Sequence, residues 1–170
     1  MVSSKIHGGA GTFDVDLPLT GNAGIECRSG GATGDYTMIF TFANPLTSVG
    51  GASVTNGTGS VGSENIDSTD AHNYIVNLTG VTNAQVLKVG LTNVSDSAGD
   101  FSSAASAQMG VLLGDVNASG RVDAADVSLV RQQTLQSVTN SNFREDINTS
   151  GRIDAADVSI ARQQTLTSLP

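Results

Sequence analysis

A chain of 170 residues has room for one ordinary domain, or for one domain and a small module. Its formal net charge of -8 counts against nucleic acid, whose phosphates call for Lys and Arg, and against an anionic membrane surface. A single cysteine, Cys27, rules out an internal disulfide, and no apolar run is long enough for a helix to cross a bilayer.

The opening MVSSKIHGG has no apolar signal core and reads as a flexible, glycine-rich start. Met1 is taken as an introduced start or as the first residue of a fragment of a longer exported chain. Short strands broken by turn clusters follow. The candidates are Thr12–Leu17, Gly24–Ser29, Asp35–Phe42, Ala52–Asn56, Asn73–Val81, Ala84–Val94 and Ala107–Leu113. Several alternate apolar and polar residues at least in part, as in Tyr36-Thr37-Met38-Ile39-Phe40-Thr41-Phe42. Asn44-Pro45, Asn56-Gly57, Gly62-Ser63 and Ser97–Gly99 punctuate them. This density of short strands indicates a β-sandwich. A composition rich in Gly, Ser, Thr, Asn and Val and poor in Lys suits a secreted bacterial protein better than a cytosolic enzyme. The stretch FTFANPLTSVGGASVTNGTGSV, with NYIVNLTGVTNAQVLKVGLTNVSDSAGD after it, also resembles the bacterial Ig-like domains of surface proteins, which implies a fold and no activity.

Catalytic candidates in this part are few. His7 and His72 are the only histidines, and neither has a companion at metal-ligand spacing. Cys27 stands between Glu26 and Arg28. A neighbouring Arg28 would favour a thiolate, but a half-buried core cysteine on a strand is the plainer reading. Asp14 and Asp16 share one strand face with no identifiable partner. The Asn-x-Ser/Thr triplets at Asn56, Asn77, Asn93, Asn117 and Asn148 are expected by chance in such a composition. With no Trp, and Tyr36 and Tyr74 as the only tyrosines, a stacking platform for sugars is poorly supplied.

The last third is different. DVNASGRVDAADVSLVRQQTL, from Asp115 to Leu135, returns as DINTSGRIDAADVSIARQQTL, from Asp146 to Leu166, with 16 of 21 positions identical. Asp115, Asn117 and Ser119 offer side-chain oxygens at alternate places, and Gly120 follows where a sharp turn needs positive φ. Arg121 offers its carbonyl, and Asp123 and Asp126 complete the stretch at the ninth and twelfth places. The second copy repeats this with Asp146, Asn148, Ser150, Gly151, Arg152, Asp154 and Asp157. Hard oxygens at positions 1, 3, 5, 7, 9 and 12 with glycine at 6 form the EF-hand type of calcium loop, so two Ca2+ ions are expected. Ordinary Asp/Asn/Gly turns would have no reason to keep acids at the ninth and twelfth places twice. Asp123 also suits a helix N-cap, with Asp126 three residues on in the manner of a capping box. The helix from about Ala124 to Gln133 should bury Val127 and Val130, matched by Val158 and Ala161 in the second copy. Val122 and Ile153 are expected to pair across the two loops.

These residues resemble the duplicated segments of type I dockerins over about residues 113 to 168. The resemblance implies a calcium-binding module of a secreted bacterial protein that docks onto a cohesin domain. It implies a partner face at Ala124, Ala125, Arg131 and Gln132, repeated at Ala155, Ala156, Arg162 and Gln163. It also implies that either helix can serve. This chain departs from the family in carrying Ser119 and Ser150 at the fifth place, each costing a carboxylate that the ninth-place acid restores.

The sequence therefore points to a mostly β protein. An Ig-like β-sandwich over residues 1–112 precedes a small α-helical dockerin-like tandem of EF-hand-type loops over residues 113–170. The expected function is non-catalytic: a secreted or cell-surface calcium-binding module for protein–protein attachment or assembly. The partner is a cohesin-like or other extracellular protein domain, or the chain's own sandwich with calcium as a structural clamp. Val111-Leu112-Leu113 joins the two parts without a linker, which favours the clamp. A carbohydrate-binding domain is the alternative from another class, and an enzyme is not expected.

Overall fold

The structure is a computed structural model that describes residues Met1 to Pro170. Ten strands precede two helices. They are β1 (Val2–His7), β2 (Gly11–Asp16), β3 (Gly24–Glu26), β4 (Tyr36–Thr41), β5 (Leu46–Ser48), β6 (Gly51–Asn56), β7 (Ser60–Ile66), β8 (Asn73–Thr79), β9 (Gln85–Asp96) and β10 (Phe101–Val111). Helices α1 (Ala124–Gln133) and α2 (Ala155–Gln163) follow, with a 3₁₀ turn at Phe143–Glu145 between them. One sheet runs β2-β1-β4-β8-β7, and the other β3-β10-β9-β5 with β6 also on β9.

The two sheets meet over a shared apolar core. Alternation on β4 turns Tyr36, Met38 and Phe40 inward, and β8 adds Tyr74, Val76 and Leu78. Facing them are Leu87, Val89 and Leu91 of β9 and Ala107, Met109 and Val111 of β10. Each large apolar side chain so buried contributes about 1.5–3 kcal/mol, which makes this cluster the main source of the head's stability. No helix of the chain is long and apolar enough to cross a membrane.

Three strands were not expected. The opening is no flexible start: β1 lies inside its sheet, paired with both β2 and β4. Its inward positions are the polar Ser3 and His7, both fully buried, while Ile6 points outward. The alternation is thus inverted, and a reading of apolar periodicity passes over it. β5 is too short to carry a pattern, and β7 places only Val61 and Ile66 against the core.

The tail follows the repeat. Asp123 and Asp154 cap α1 and α2 in full capping boxes with Asp126 and Asp157. Val127 and Val130 are buried, as is Ala161, whereas Val158 is half-buried. Val122 and Ile153 do not pair with each other. The Leu135 amide donates to the Ile153 carbonyl, and the Leu166 amide to the Val122 carbonyl. Each loop is thus closed by the segment that leaves the other helix, because the helices lie side by side and each exit reaches the opposite loop.

Head and tail share one apolar seam. Phe13 and Cys27 cluster with Val116, Val127, Val130, Val138, Ile147, Ile153 and Ala161. The Phe13 and Phe143 rings stack with centroids 5.4 Å apart. Hydrogen bonds run along the seam from the Leu112 amide to the Glu26 carbonyl, from Gly114 to Cys27 and from Ser29 to Ile147.

Candidate metal centre

Each loop turns on a pair of buried acids. In the first, the Asp115 carboxylate accepts the Ser119 amide at 3.0 Å and the Gly120 amide at 2.8 Å. The Asp126 carboxylate accepts the amides of Asn117 at 3.2 Å and Asp123 at 2.9 Å. In the second, Asp146 accepts Ser150 at 3.0 Å and Gly151 at 2.8 Å, and Asp157 accepts Asn148 at 3.1 Å and Asp154 at 3.0 Å. Corresponding distances agree within 0.1 Å, so sixteen identities in sequence have become one local geometry made twice. Gly120 and Gly151 take φ of 83° and 85°, and Ala118 and Thr149 before them take 56° and 57°. That left-handed step folds the fifth and sixth amides back onto the first carboxylate.

The remaining candidate ligands lie around these pairs. Asn117 and Asn148 accept the Ser119 and Ser150 amides, each at 2.9 Å. Ser119 and Ser150 hydroxyls donate to the carbonyls of Arg121 and Arg152, at 2.9 and 3.2 Å. The third acid of each loop also caps the helix that follows. Asp123 and Asp154 accept from the helix amides of Ala125 and Ala156, at 2.8 and 2.7 Å. Nowhere in the chain do three or more His, Cys, Asp or Glu side chains gather as a metal-holding group. Each loop offers two fully buried carboxylates and a third at the helix cap, and amide, hydroxyl and carbonyl oxygens supply the rest. A set made only of oxygens, on a loop that can wrap, fits calcium and lacks the nitrogen and sulfur that zinc prefers. Burial pushes the Asp115 carboxyl above its usual range against the pull of the Gly120 and Ser119 amides, and the Asp126 charge adds to the rise. Burial raises Asp157 as well, with Asp146 and Asp154 adding to it. A cation would relieve this cost.

Ala124, Ala125, Arg131 and Gln132 are exposed, and so are Ala155, Ala156, Arg162 and Gln163. Neither set is covered by the sandwich. Leu135 and Leu166, at matching places beyond the helices, are 93% and 96% exposed.

Reading by spacing missed the residues that join the loops to the sandwich. Arg144 donates to the carbonyls of Val116 at 2.7 Å, Asp115 at 2.9 Å and Ile25 at 2.9 Å. Arg28 is fully buried and all five of its N–H groups are engaged. They go to both Glu26 carboxylate oxygens, the Phe13 and Ser3 carbonyls and the His7 ring. His7 in turn touches Asp146 at 2.9 Å. No sequence signal links residues so far apart. Cys27 is fully buried, and Arg28 does not activate it: burial pushes the thiol up to about 12. His72 sits on the surface against Asp70, and Asp14 and Asp16 are exposed on β2.

Residues 113–165 match the family model of the dockerin type I domain. No curated protein and no solved structure matches the chain. The match covers the duplicated loops and supports a dockerin module there, hence a non-catalytic, calcium-binding role in protein–protein assembly.

Proposed function

We propose that the chain is a calcium-dependent attachment module of a larger exported protein, secreted or held at a cell surface. In this reading an Ig-like sandwich over residues 1–112 carries a dockerin-like module over residues 113–170. Two packed sheets support the first part, and the family match supports the second. Asp115, Asn117, Ser119, the Arg121 carbonyl, Asp123 and Asp126 hold one calcium ion. Asp146, Asn148, Ser150, the Arg152 carbonyl, Asp154 and Asp157 hold another. The observation that carries this is the repetition of one hydrogen-bond pattern around two pairs of fully buried acids. A cohesin-like domain is the proposed partner, met by Ala124, Ala125, Arg131 and Gln132 or by their counterparts in the second copy.

Calcium has a second role in this proposal, as a clamp between tail and sandwich. The stacked Phe13–Phe143 pair and the Arg144 contacts favour it, because they tie the loops to β2 and to the chain around β3.

Calorimetric titration of the chelated protein tests the reading. About two calcium ions should bind per chain, one per twelve-residue loop. Asp126→Ala should weaken one site and Asp157→Ala the other. No binding heat and no rise in melting temperature with calcium would refute the proposal.

A further inference from the structure

The two loops are alike within themselves, but their surroundings differ. The first-place acid of the first loop, Asp115, receives the Ser119 and Gly120 amides and the Ser119 hydroxyl at 3.5 Å. Asp146 receives the same set and one more donor, the His7 ring of β1, at 2.9 Å from its Oδ2. The proton on that ring can be placed. Arg28 Nη1 lies 3.0 Å from His7 Nε2, and a guanidinium can only donate. Nε2 therefore accepts, and Nδ1 carries the hydrogen that points to Asp146. Glu26, Arg28, His7 and Asp146 form one chain of contacts, and all four are fully buried. The backbone closes in at the same place. A Cβ on Gly8 would collide with the Ser150 carbonyl, and one on Gly151 would stand 2.8 Å from the His7 carbonyl. The turn between β1 and β2 thus lies directly on the second loop.

We propose that His7 is a positioning residue for the second calcium site: it fixes the Asp146 carboxylate through Nδ1–H, so that a sandwich side chain holds a ligand carboxylate of this site, as none does in the first. The inference rests on the calcium reading of residues 146–157. Ligating carboxylates are oriented by such outer partners, and losing one typically costs about 10–100-fold in metal affinity. The duplication then gives two sites of unequal character. Filling the second also ties down the β1–β2 hairpin, because the same hydrogen bond serves both.

The test is made on the full chain, with calcium as the probe, in two backgrounds. Asp126→Ala leaves the second site to be read, and Asp157→Ala leaves the first. In the Asp126→Ala background, His7→Phe should weaken calcium binding by about ten-fold or more. His7→Asn, which keeps a donor near the Nδ1 position, should restore part of the loss. In the Asp157→Ala background both changes should leave affinity within about two-fold. Amide exchange gives a second readout that needs no change at residue 7. Protection of Val2–His7 and Gly11–Asp16 should fall more in Asp157→Ala than in Asp126→Ala. Equal effects of His7→Phe on the two sites, no effect on the second, or equal protection in the two backgrounds would overturn the inference. If His7→Phe does not fold, His7→Asn and the exchange data decide. A chain without His7 changes that binds no calcium would refute the calcium reading itself, a result distinct from two bound ions with a second site indifferent to His7.

Discussion

Replacing Arg28 with Met keeps much of the side chain's bulk and removes its charge and its five N–H groups. Glu26 is then left ionised in a site with no exposure, and the Ser3 and Phe13 carbonyls each lose a donor. Removing one partner of a buried ion pair costs about 3–5 kcal/mol. For a chain of this size, with about 2–4 °C per kcal/mol, that corresponds to a fall in Tm of about 6–20 °C. The pH dependence sharpens the prediction. In the parent, burial alone would raise the Glu26 carboxyl, but the hydrogen bonds and charge of Arg28, with the Ser3 hydroxyl, hold it below its ordinary value of 4.5. A lowered folded value gives stability that is complete above the unfolded value and lost as pH falls through the folded one. In Arg28→Met the sign reverses, because an unpaired buried carboxyl prefers its proton and its cost appears only as pH rises. The Tm gap between parent and variant should therefore be widest near neutral pH and narrow towards acid. Scanning calorimetry in saturating calcium over a pH series measures it. A variant melting within about 2 °C of the parent at neutral pH, or a gap constant across the series, would refute the assignment of Arg28 as the partner that makes Glu26 tolerable.

Cys27 should resist alkylation in the folded chain and react at once after unfolding, since burial pushes its thiol up to about 12; rapid labelling of the native protein by iodoacetamide would contradict this. Against a cohesin domain that binds the parent, Arg131→Ala with Gln132→Ala should cost only about two-fold, the loss of one of two equivalent orientations, and changing Arg162 and Gln163 as well should abolish binding. If all these variants bind like the parent, neither helix face is an interface. Limited proteolysis in saturating calcium should leave the junction at Gly114 uncut, because its amide is held by the Cys27 carbonyl; prompt cleavage there would mean two independent units.

What could be read from the sequence was what is local. The spacing of the acids, the glycine turns and the capping boxes all fall within a dozen residues, so α1 has the expected bounds and the two loops take the same form. β4 was legible because Tyr36, Met38 and Phe40 alternate with residues that face outward or are less buried. β1 was hidden because Ser3 and His7 are made acceptable inside by Glu26, Arg28 and Asp146, none of them a neighbour in sequence. The three residues Glu26-Cys27-Arg28 show a limit of a different kind. Extended chain sends alternate side chains to opposite faces, so Arg28 sits with Glu26 and away from the thiol. That period was available in the sequence. The destination of Cys27, beside Arg144 in the turn between the two copies, was not.

The crossed closure of the loops sets an order of events in time. The first loop begins at Asp115, yet its partners for Val122 are Leu166 and Thr167, and its Gly120 carbonyl accepts the Leu169 amide. A ribosome delivers those residues after both helices have been made. The earliest-written half of the repeat is therefore the last to be sealed, and His7 waits longer still for Asp146, 139 positions away. Contacts of such long range are slow to form and leave chain ends unpaired in the interval. For a chain exported as proposed above, this interval would be a window in which calcium outside the cell, rather than inside it, decides when the fold becomes complete.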